Sequence, residues 1–207
     1  VGGTDGADGN GQDTVTDNPL KIVESGWSAN QQGYVHYAFA LRNTSTTQQV
    51  QYPQITITGR AKDGSIVFSQ TQALNMAFPN QTVYDAGQAG EGTAPATVDF
   101  VVLSPDTYNV TEAQGTATFP ISGTSKIDNR DGGTTFNGEV RAVADGFKPS
   151  DGQQIKISLV LRNAQNAIIY GDIAFVDWPG NGRSTPFSIT VYDLPKYVSY
   201  DLYAQIW

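Results

Sequence analysis

Few residues in this 207-residue chain could support catalysis. His36 is the only histidine, cysteine is absent, and the chain has neither a nucleophile elbow nor a phosphate-binding glycine loop. A histidine-rich metal site needs several imidazoles, and a catalytic triad needs a histidine beside its nucleophile. We therefore expect His36 to be structural, no cofactor or metal to be bound, and the protein not to be an enzyme. The alternative is a glycosidase-like carboxylate pair, which requires two carboxylates about 5–9.5 Å apart in a cleft.

The residues best suited to binding a ligand lie in a turn near the end of the chain. Trp178 stands between Asp177 and a Pro-Gly pair, and Arg183 follows five residues later. An indole beside a guanidinium can stack on a sugar or anchor a protein partner. The sequence thus predicts Trp178 and Arg183 as ligand-binding residues. The alternative is that Trp178 folds back over the end of the domain and packs there.

One loop, 128–131, clusters oxygen-bearing side chains in the order Asp-Asn-Arg-Asp. Calcium bound at such a loop can stiffen a pair of tandem domains. Asn, Asp and Gly are also the usual residues of tight turns, and that explanation needs no ion. Both interpretations are open from the sequence, so calcium binding at 128–131 is undecided.

The charge distribution limits the classes of partner. The net charge is −8, and residues 1–18 contain four Asp and no Lys or Arg. No basic stripe is present, so we expect no binding to nucleic acid or directly to an anionic membrane. No apolar run reaches the roughly 18 residues that span a bilayer. The chain begins at Val1 rather than Met, which is typical of a processed or trimmed chain, and any membrane attachment would use a lipid anchor outside it.

Residues 1–18 are rich in Gly and Asp and almost free of apolar side chains. Such a segment cannot bury enough surface to offset the entropy lost on ordering. The sequence therefore predicts a flexible acidic tether over 1–18 that connects a surface anchor to the first folded domain.

Beyond the tether, the pattern is that of β-strands. Val35, Tyr37, Phe39 and Leu41 alternate with smaller or polar residues, and this period of two is the strand signature. Asp63-Gly64 between two apolar runs predicts a hairpin turn, since Gly readily adopts a positive φ. The predicted strands cover 34–41, 50–58, 66–68, 81–86, 97–103, 116–121, 135–143, 154–162, 167–176, 186–192 and 198–207.

The chain also repeats itself at about the length of one small domain. Residues 55–69 align without a gap on 157–171, and 33–43 align on 132–142, at offsets of 102 and 99 residues. The match is one of apolar pattern and turn position. It predicts an all-β chain of two tandem Ig-like β-sandwich domains, at 19–114 and 115–207. Because the junction near 112–115 is short, we expect the two domains to be held stiffly.

The first domain resembles FxLYD-type domains, which are small Ig-like sandwiches found mainly in prokaryotic surface lipoproteins. The residues that carry the resemblance are Tyr37-Ala38-Phe39-Ala40-Leu41-Arg42-Asn43, Asp63-Gly64-Ser65-Ile66-Val67-Phe68-Ser69 and Pro79-Asn80-Gln81-Thr82-Val83. The resemblance covers most of 20–112 and, more weakly, 116–207, where Gln165-Asn166 replaces the Asp-Gly turn. It implies a secreted or lipid-anchored domain without an assigned chemistry.

Taken together, these features predict a non-enzymatic extracellular binding, adhesion or spacer module of a cell-surface lipoprotein. Its partner would be a surface protein or a glycan. The alternative is a carbohydrate-binding module that uses an exposed Trp/Tyr platform around Trp178.

Overall fold

A computed structural model describes residues 13–207, and the chain in this range is all-β. The part of the predicted tether at 1–12 lies outside the described residues. Within the described range, the only helical segment is a 3₁₀ turn at Thr107–Asn109. No helix of residues 13–207 has the length and apolar character needed to cross a membrane.

Nine strands form three sheets in the N-terminal half, 20–112. The strands are β1 (Leu20–Ala29), β2 (Val35–Asn43), β3 (Gln48–Gln51), β4 (Gln54–Arg60), β5 (Ile66–Ala73), β6 (Met76–Ala77), β7 (Thr82–Ala89), β8 (Thr97–Val102) and β9 (Val110–Glu112). The two larger sheets have the strand orders β1-β2-β7 and β5-β4-β8, and a small sheet has the order β6-β3-β9. All pairings within them are antiparallel.

Eight further strands form the C-terminal half, 116–206. They are β10 (Thr116–Thr118), β11 (Ile121–Asp128), β12 (Thr134–Arg141), β13 (Val143–Asp145), β14 (Gln154–Arg162), β15 (Ile168–Asp177), β16 (Ser184–Val191) and β17 (Ser199–Ile206). Their sheets have the orders β11-β12-β16, β15-β14-β17 and β10-β13. Every strand ladder of the described chain joins strands of the same half.

The two halves share one topology at the spacing of the sequence repeat. The hairpin β4–β5 and the hairpin β14–β15 have their register irregularity at equivalent places, 59/60 and 161/162. In their turns, the N–H of Gly64 donates to Ala61 and the N–H of Asn166 to Asn163, and both donors have a positive φ, of 85° and 62°. The repeated apolar pattern therefore corresponds to a repeated strand arrangement, although the assignment of each half to the Ig-like class stays a prediction.

In the N-terminal half, the two larger sheets pack face to face around one core. The alternation in β2 buries Val35, Tyr37, Phe39 and Leu41 completely, as the period of two predicts. Phe100 on β8 packs against Phe39 at a ring-centroid distance of 6.1 Å. Each fully buried side chain of this size stabilises the fold by roughly 1.5–3 kcal/mol, so these strands hold the two layers together.

The core of the C-terminal half includes residues from the N-terminal half. Met76 and Phe78 join the apolar cluster formed by β12, β14, β16 and β17. The ring of Phe78 lies edge-on to Phe147 at 5.6 Å between centroids. The two cores are therefore not independent, because residues of the N-terminal half complete the core of the C-terminal half.

Some predicted strands are divided in the structure. The single strand predicted over 50–58 is two strands, because Tyr52 has a φ of 50° and Pro53 has no N–H to continue the ladder. The strand predicted over 135–143 is likewise divided at Ala142. β11 was not predicted beyond Ile121, because its remaining side chains are almost all polar and it is an exposed edge strand.

The halves pack against each other through whole sheet faces. Sheet β1-β2-β7 lies on sheet β15-β14-β17, so that the four larger sheets form four successive layers. Ala38 and Ala86 contact Val160 and Ile168 in this interface. The backbones approach so closely that a Cβ on Gly171 would lie 2.2 Å from the carbonyl oxygen of Tyr37. The stiffness prediction was based on the short junction near 112–115. The contact between these two sheets is a second connection between the halves.

Residues 13–18, assigned to the tether from the sequence, lie along the segment 103–107. The N–H of Val15 donates to Pro105, and the N–H of Thr107 donates to Asp13. The side-chain amide of Asn18 donates to Leu103 at 3.3 Å. This part of the chain is thus attached to the N-terminal half, and the boundary of the folded unit lies earlier than residue 18.

Candidate functional site

Trp178, a predicted ligand-binding residue, lies just after β15 and is half-buried. Its ring is edge-on to Phe119 at 5.9 Å between centroids and tilted against Phe147 at 6.2 Å. Its backbone N–H donates to the carbonyl of Gln153 at 3.0 Å. The indole therefore covers the end of the C-terminal core, and only part of it faces solvent.

Arg183, the second predicted residue, is exposed at the far side of the same turn. Its backbone N–H donates to Gly180 and its carbonyl accepts from Ala142. Among residues 13–207, its guanidinium has no hydrogen-bond or ion-pair partner. In the described chain no hydrogen bond or cation–π contact joins Arg183 to Trp178, and ligand binding by the two residues stays a prediction.

The carboxylates of the 128–131 loop form hydrogen bonds and ion pairs with residues close to the loop. Asp128 accepts from the hydroxyl of Thr134 and pairs with Lys126 at 3.4 Å. Asp131 accepts from the N–H of Gly133 at 3.0 Å and from the hydroxyl of Tyr192 at 2.9 Å, and these hydrogen bonds lower the pKa of Asp131. In the described chain, no group of three or more His, Asp or Glu could hold a metal ion. These contacts fit the turn interpretation.

His36 lies in a cleft of about 340 Å³ whose other walls include 28–31, Tyr170 and 193–195. The imidazole is stacked on the ring of Tyr170, with 4.8 Å between centroids and 15° between planes. Burial lowers the pKa of His36, while the charge of Asp172 opposes that shift. The lowered pKa favours the neutral form of the imidazole.

The most strongly buried charges of the described chain lie between the two halves. Nζ of Lys156 is 2.8 Å from Oδ1 of Asp85, and the two side chains are 2% and 0% exposed. Nε2 of Gln205 donates to the same oxygen at 2.8 Å. The ammonium also lies 4.2 Å from the ring centre of Trp207 and 5.9 Å from that of Phe175.

A second polar cluster, centred on Arg162, crosses the same interface. Nε of Arg162 donates to Asp201 at 2.8 Å, and the guanidinium also pairs with Glu24 of the opposite half. The hydrogen bonds from Arg162 lower the pKa of Glu24. The rings of Tyr84 and Tyr203 stack beside this cluster at 3.7 Å. The cluster thus joins β1 and β7 to β14 and β17.

Lys156 and Asp85 were not predicted as functional candidates from the sequence. Lys156 alternates with apolar residues in β14, so it would be expected on a solvent-facing side of the sheet. One feature of the sequence did indicate that this face is buried: Val160, on the same face of β14 as Lys156, is apolar. A strand with apolar residues on both faces is covered on both faces, so a charge within it needs a buried partner.

No protein-family model matches this chain, and no curated protein sequence matches it significantly.

Proposed function

We propose that this chain is a non-enzymatic binding, adhesion or spacer module of a secreted or lipid-anchored cell-surface protein. In this proposal its two halves act as one rigid body that presents surface loops and outer sheet faces. The observation that supports it most is the packed interface between the halves, with its two crossing polar clusters. A spacer must hold a fixed distance without bending, and a large interdomain contact opposes bending.

The absence of cysteine makes the rigidity directly measurable. Cysteines introduced at Thr71 on β5 and Ser184 on β16 would place spin labels on the two outermost sheets, at exposed positions. Because packed sheets lie about 10 Å apart, the labels should be separated by roughly 30 Å or more. We expect double electron–electron resonance to give one narrow distance distribution. A broad distribution extending over many ångströms would show that the halves move independently and would contradict the proposal.

A second candidate function is carbohydrate recognition at Trp178. It is favoured by the partly exposed indole and by the guanidinium of Arg183, which has no partner in the described chain. Titration with pooled cell-wall and extracellular polysaccharides should then shift tryptophan fluorescence saturably.

The matched variants for this titration are Trp178→Ala and Trp27→Phe. Trp27 packs against the core of the N-terminal half, so its replacement should leave the sugar response intact. Carbohydrate recognition requires that the response disappear only with Trp178→Ala. A flat response of the unmodified protein would instead favour the spacer or protein-binding role.

A further inference from the structure

Lys156 and Asp85 place an amine and a carboxyl group in contact inside the protein. Nζ lies 2.8 Å from Oδ1, and neither side chain is appreciably exposed to water. The residues belong to different halves, Lys156 on β14 and Asp85 on β7. Two reactive groups held in contact have the high effective concentration that accelerates intramolecular reactions.

Burial of the pair favours the uncharged form of the Asp85 carboxyl group. This burial raises the pKa of Asp85, an effect that the ammonium of Lys156 opposes. A buried ion pair loses the hydration of both charges. Transfer of one proton from Nζ to the carboxylate gives a neutral amine and a neutral acid, which are the nucleophile and the electrophile of amide formation.

Gln205 is placed to assist such a reaction as a positioning residue. Its Nε2 donates to Oδ1 of Asp85 at 2.8 Å, where negative charge develops when an amine adds to the carboxyl carbon. Oδ2 of Asp85 is buried without a hydrogen-bond partner among the described residues. The two carboxyl oxygens are thus unequal, because Nζ of Lys156 and Nε2 of Gln205 both contact Oδ1 and no side-chain donor contacts Oδ2.

We propose that Lys156 and Asp85 condense to form an amide bond that covalently joins the two halves. Nζ attacks Cγ of Asp85, the bond from Cγ to Oδ2 breaks, and two protons from the ammonium leave with Oδ2 as water. An ammonium and a carboxylate become a secondary amide and one water molecule, so the reaction needs no oxidant, reductant or cofactor.

The bond would give this chain a cross-link that it cannot obtain from disulfides, because it contains no cysteine. It would also replace two buried charges by a neutral group. A cross-link between distant parts of a chain restricts the unfolded ensemble and thereby stabilises the folded state. The two halves would then resist separation even if the junction at 113–115 were cut.

The first experiment is the intact mass of the folded, purified chain, measured under denaturing conditions. We expect a mass lower than the sequence mass by one water molecule. Since trypsin does not cleave after a modified lysine, the digest should contain peptide 63–126 joined to peptide 142–162. A folded chain with the full sequence mass, and with separate peptides ending at Lys62, Lys126 and Lys156, would overturn the proposal.

The controls distinguish the amide from other losses of water. Lys156→Met and Asp85→Ala should both retain their full sequence masses. A succinimide at an Asp-Gly pair such as Asp63-Gly64 also loses water, but it joins no peptides and would persist in Lys156→Met. Asp85→Asn should lose ammonia instead and reach the same product mass as the unmodified chain. The exposed pair Lys126–Asp128, at 3.4 Å, is an internal control that should remain unlinked.

A third readout needs no substitution at the pair itself. A protease site inserted at 113–115 allows the backbone between the halves to be cut. We expect the cut protein to remain one species on a denaturing gel, because the amide joins 85 to 156. Separation into two fragments would exclude the bond even if both substituted variants failed to fold.

Discussion

Two arginines at equivalent positions of the repeat have the same local contacts but different surroundings. Arg60 pairs through Nε with Asp99, and Arg162 pairs through Nε with Asp201, in each case 39 residues later. Each guanidinium also donates to a carbonyl of its own hairpin turn. Only Arg162 additionally pairs with Glu24, because only its sheet is covered by the other half.

This equivalence gives a matched test of the interface. Arg162→Ala should lower the free energy of unfolding by roughly 2–4 kcal/mol, less than for a fully buried pair because Glu24 and Asp201 keep contact with water. Arg60→Ala should cost less than about 1 kcal/mol, since the Arg60–Asp99 pair is exposed. Urea unfolding of the two variants measures the difference. Equal losses would show that the contact of Arg162 with Glu24 contributes nothing.

The arginine cluster also predicts a pH dependence with a defined sign. The pKa of Glu24 is lower in the folded chain than its ordinary value, so the folded state binds this proton less readily than the unfolded state. The resulting stability is fully present above pH 4.5 and is lost as the pH falls through the lowered pKa. Urea midpoints measured from pH 6 downward should therefore converge for the unmodified chain and Glu24→Gln. Parallel curves would contradict this assignment.

Because His36 is the single histidine of the chain, its pKa can be measured directly. Burial lowers the pKa of His36, so its folded value should lie below the ordinary 6.5. Stability from the neutral imidazole should then be lost as the pH falls below 6.5 toward the folded pKa. One imidazole gives one set of ring proton resonances, and their NMR titration should show this midpoint. A midpoint at or above 6.5 would mean that the cleft around Tyr170 is open to water.

At the level of elements, the composition of each sheet face determines whether it is covered. On the interface face of β14 and β15 lie Val160 and Gly171, whereas the equivalent residues of β4 and β5 are Thr58 and Ser69. Thr58 and Ser69 hydrogen-bond to each other at 3.1 Å on a face open to solvent. The same hairpin is thus an inner layer in one half and an outer layer in the other.

The close approach at Gly171 should tolerate no side chain. Gly171→Ala places a methyl group 2.2 Å from the backbone oxygen of Tyr37, and that oxygen cannot move without displacing β2. We expect a loss of about 1–3 kcal/mol, the range for overpacking a tightly packed contact. Ser69→Ala at the equivalent exposed position should change stability by less than about 0.5 kcal/mol. Thermal or urea unfolding compares them, and similar values for both would argue against close sheet contact at Gly171.

The whole molecule should unfold as one unit because the halves share buried surface. Met76 and Phe78 complete the C-terminal core, and the face of β14 is covered by the N-terminal half. A chain with two independent domains would show two transitions, whereas shared cores give one cooperative transition.

A fragment experiment tests this dependence. The fragment 115–207 should be less stable than the same residues in the whole chain and should bind hydrophobic dyes, because it lacks Phe78 and exposes Val160 and Ile168. Thermal unfolding by circular dichroism, with the fragment 13–114 added back, should recover part of the lost stability. A fragment that melts at the temperature of the intact chain would show that the C-terminal half folds alone.

Sequence patterns predicted much of the secondary structure of this molecule but little of its candidate sites. The strand at 154–162, the Asp63-Gly64 turn and the repeat offset follow from local signals, since side-chain alternation and turn residues act within a few positions. The polar strand β11 was missed because an edge strand needs no apolar pattern. Lys156 and Asp85 were missed because their significance depends on a partner about 70 residues away in the chain.

The sequence by itself determined that the chain is all-β, where most strands and turns lie, and that the arrangement occurs twice. Those properties depend on the period of apolar side chains and on turn residues, which are local. Only the tertiary structure decided that sheet β1-β2-β7 lies on sheet β15-β14-β17. That choice depends on the fit of two whole faces, which combine apolar residues such as Val160 and Ile168 with small and polar ones and which no single strand defines.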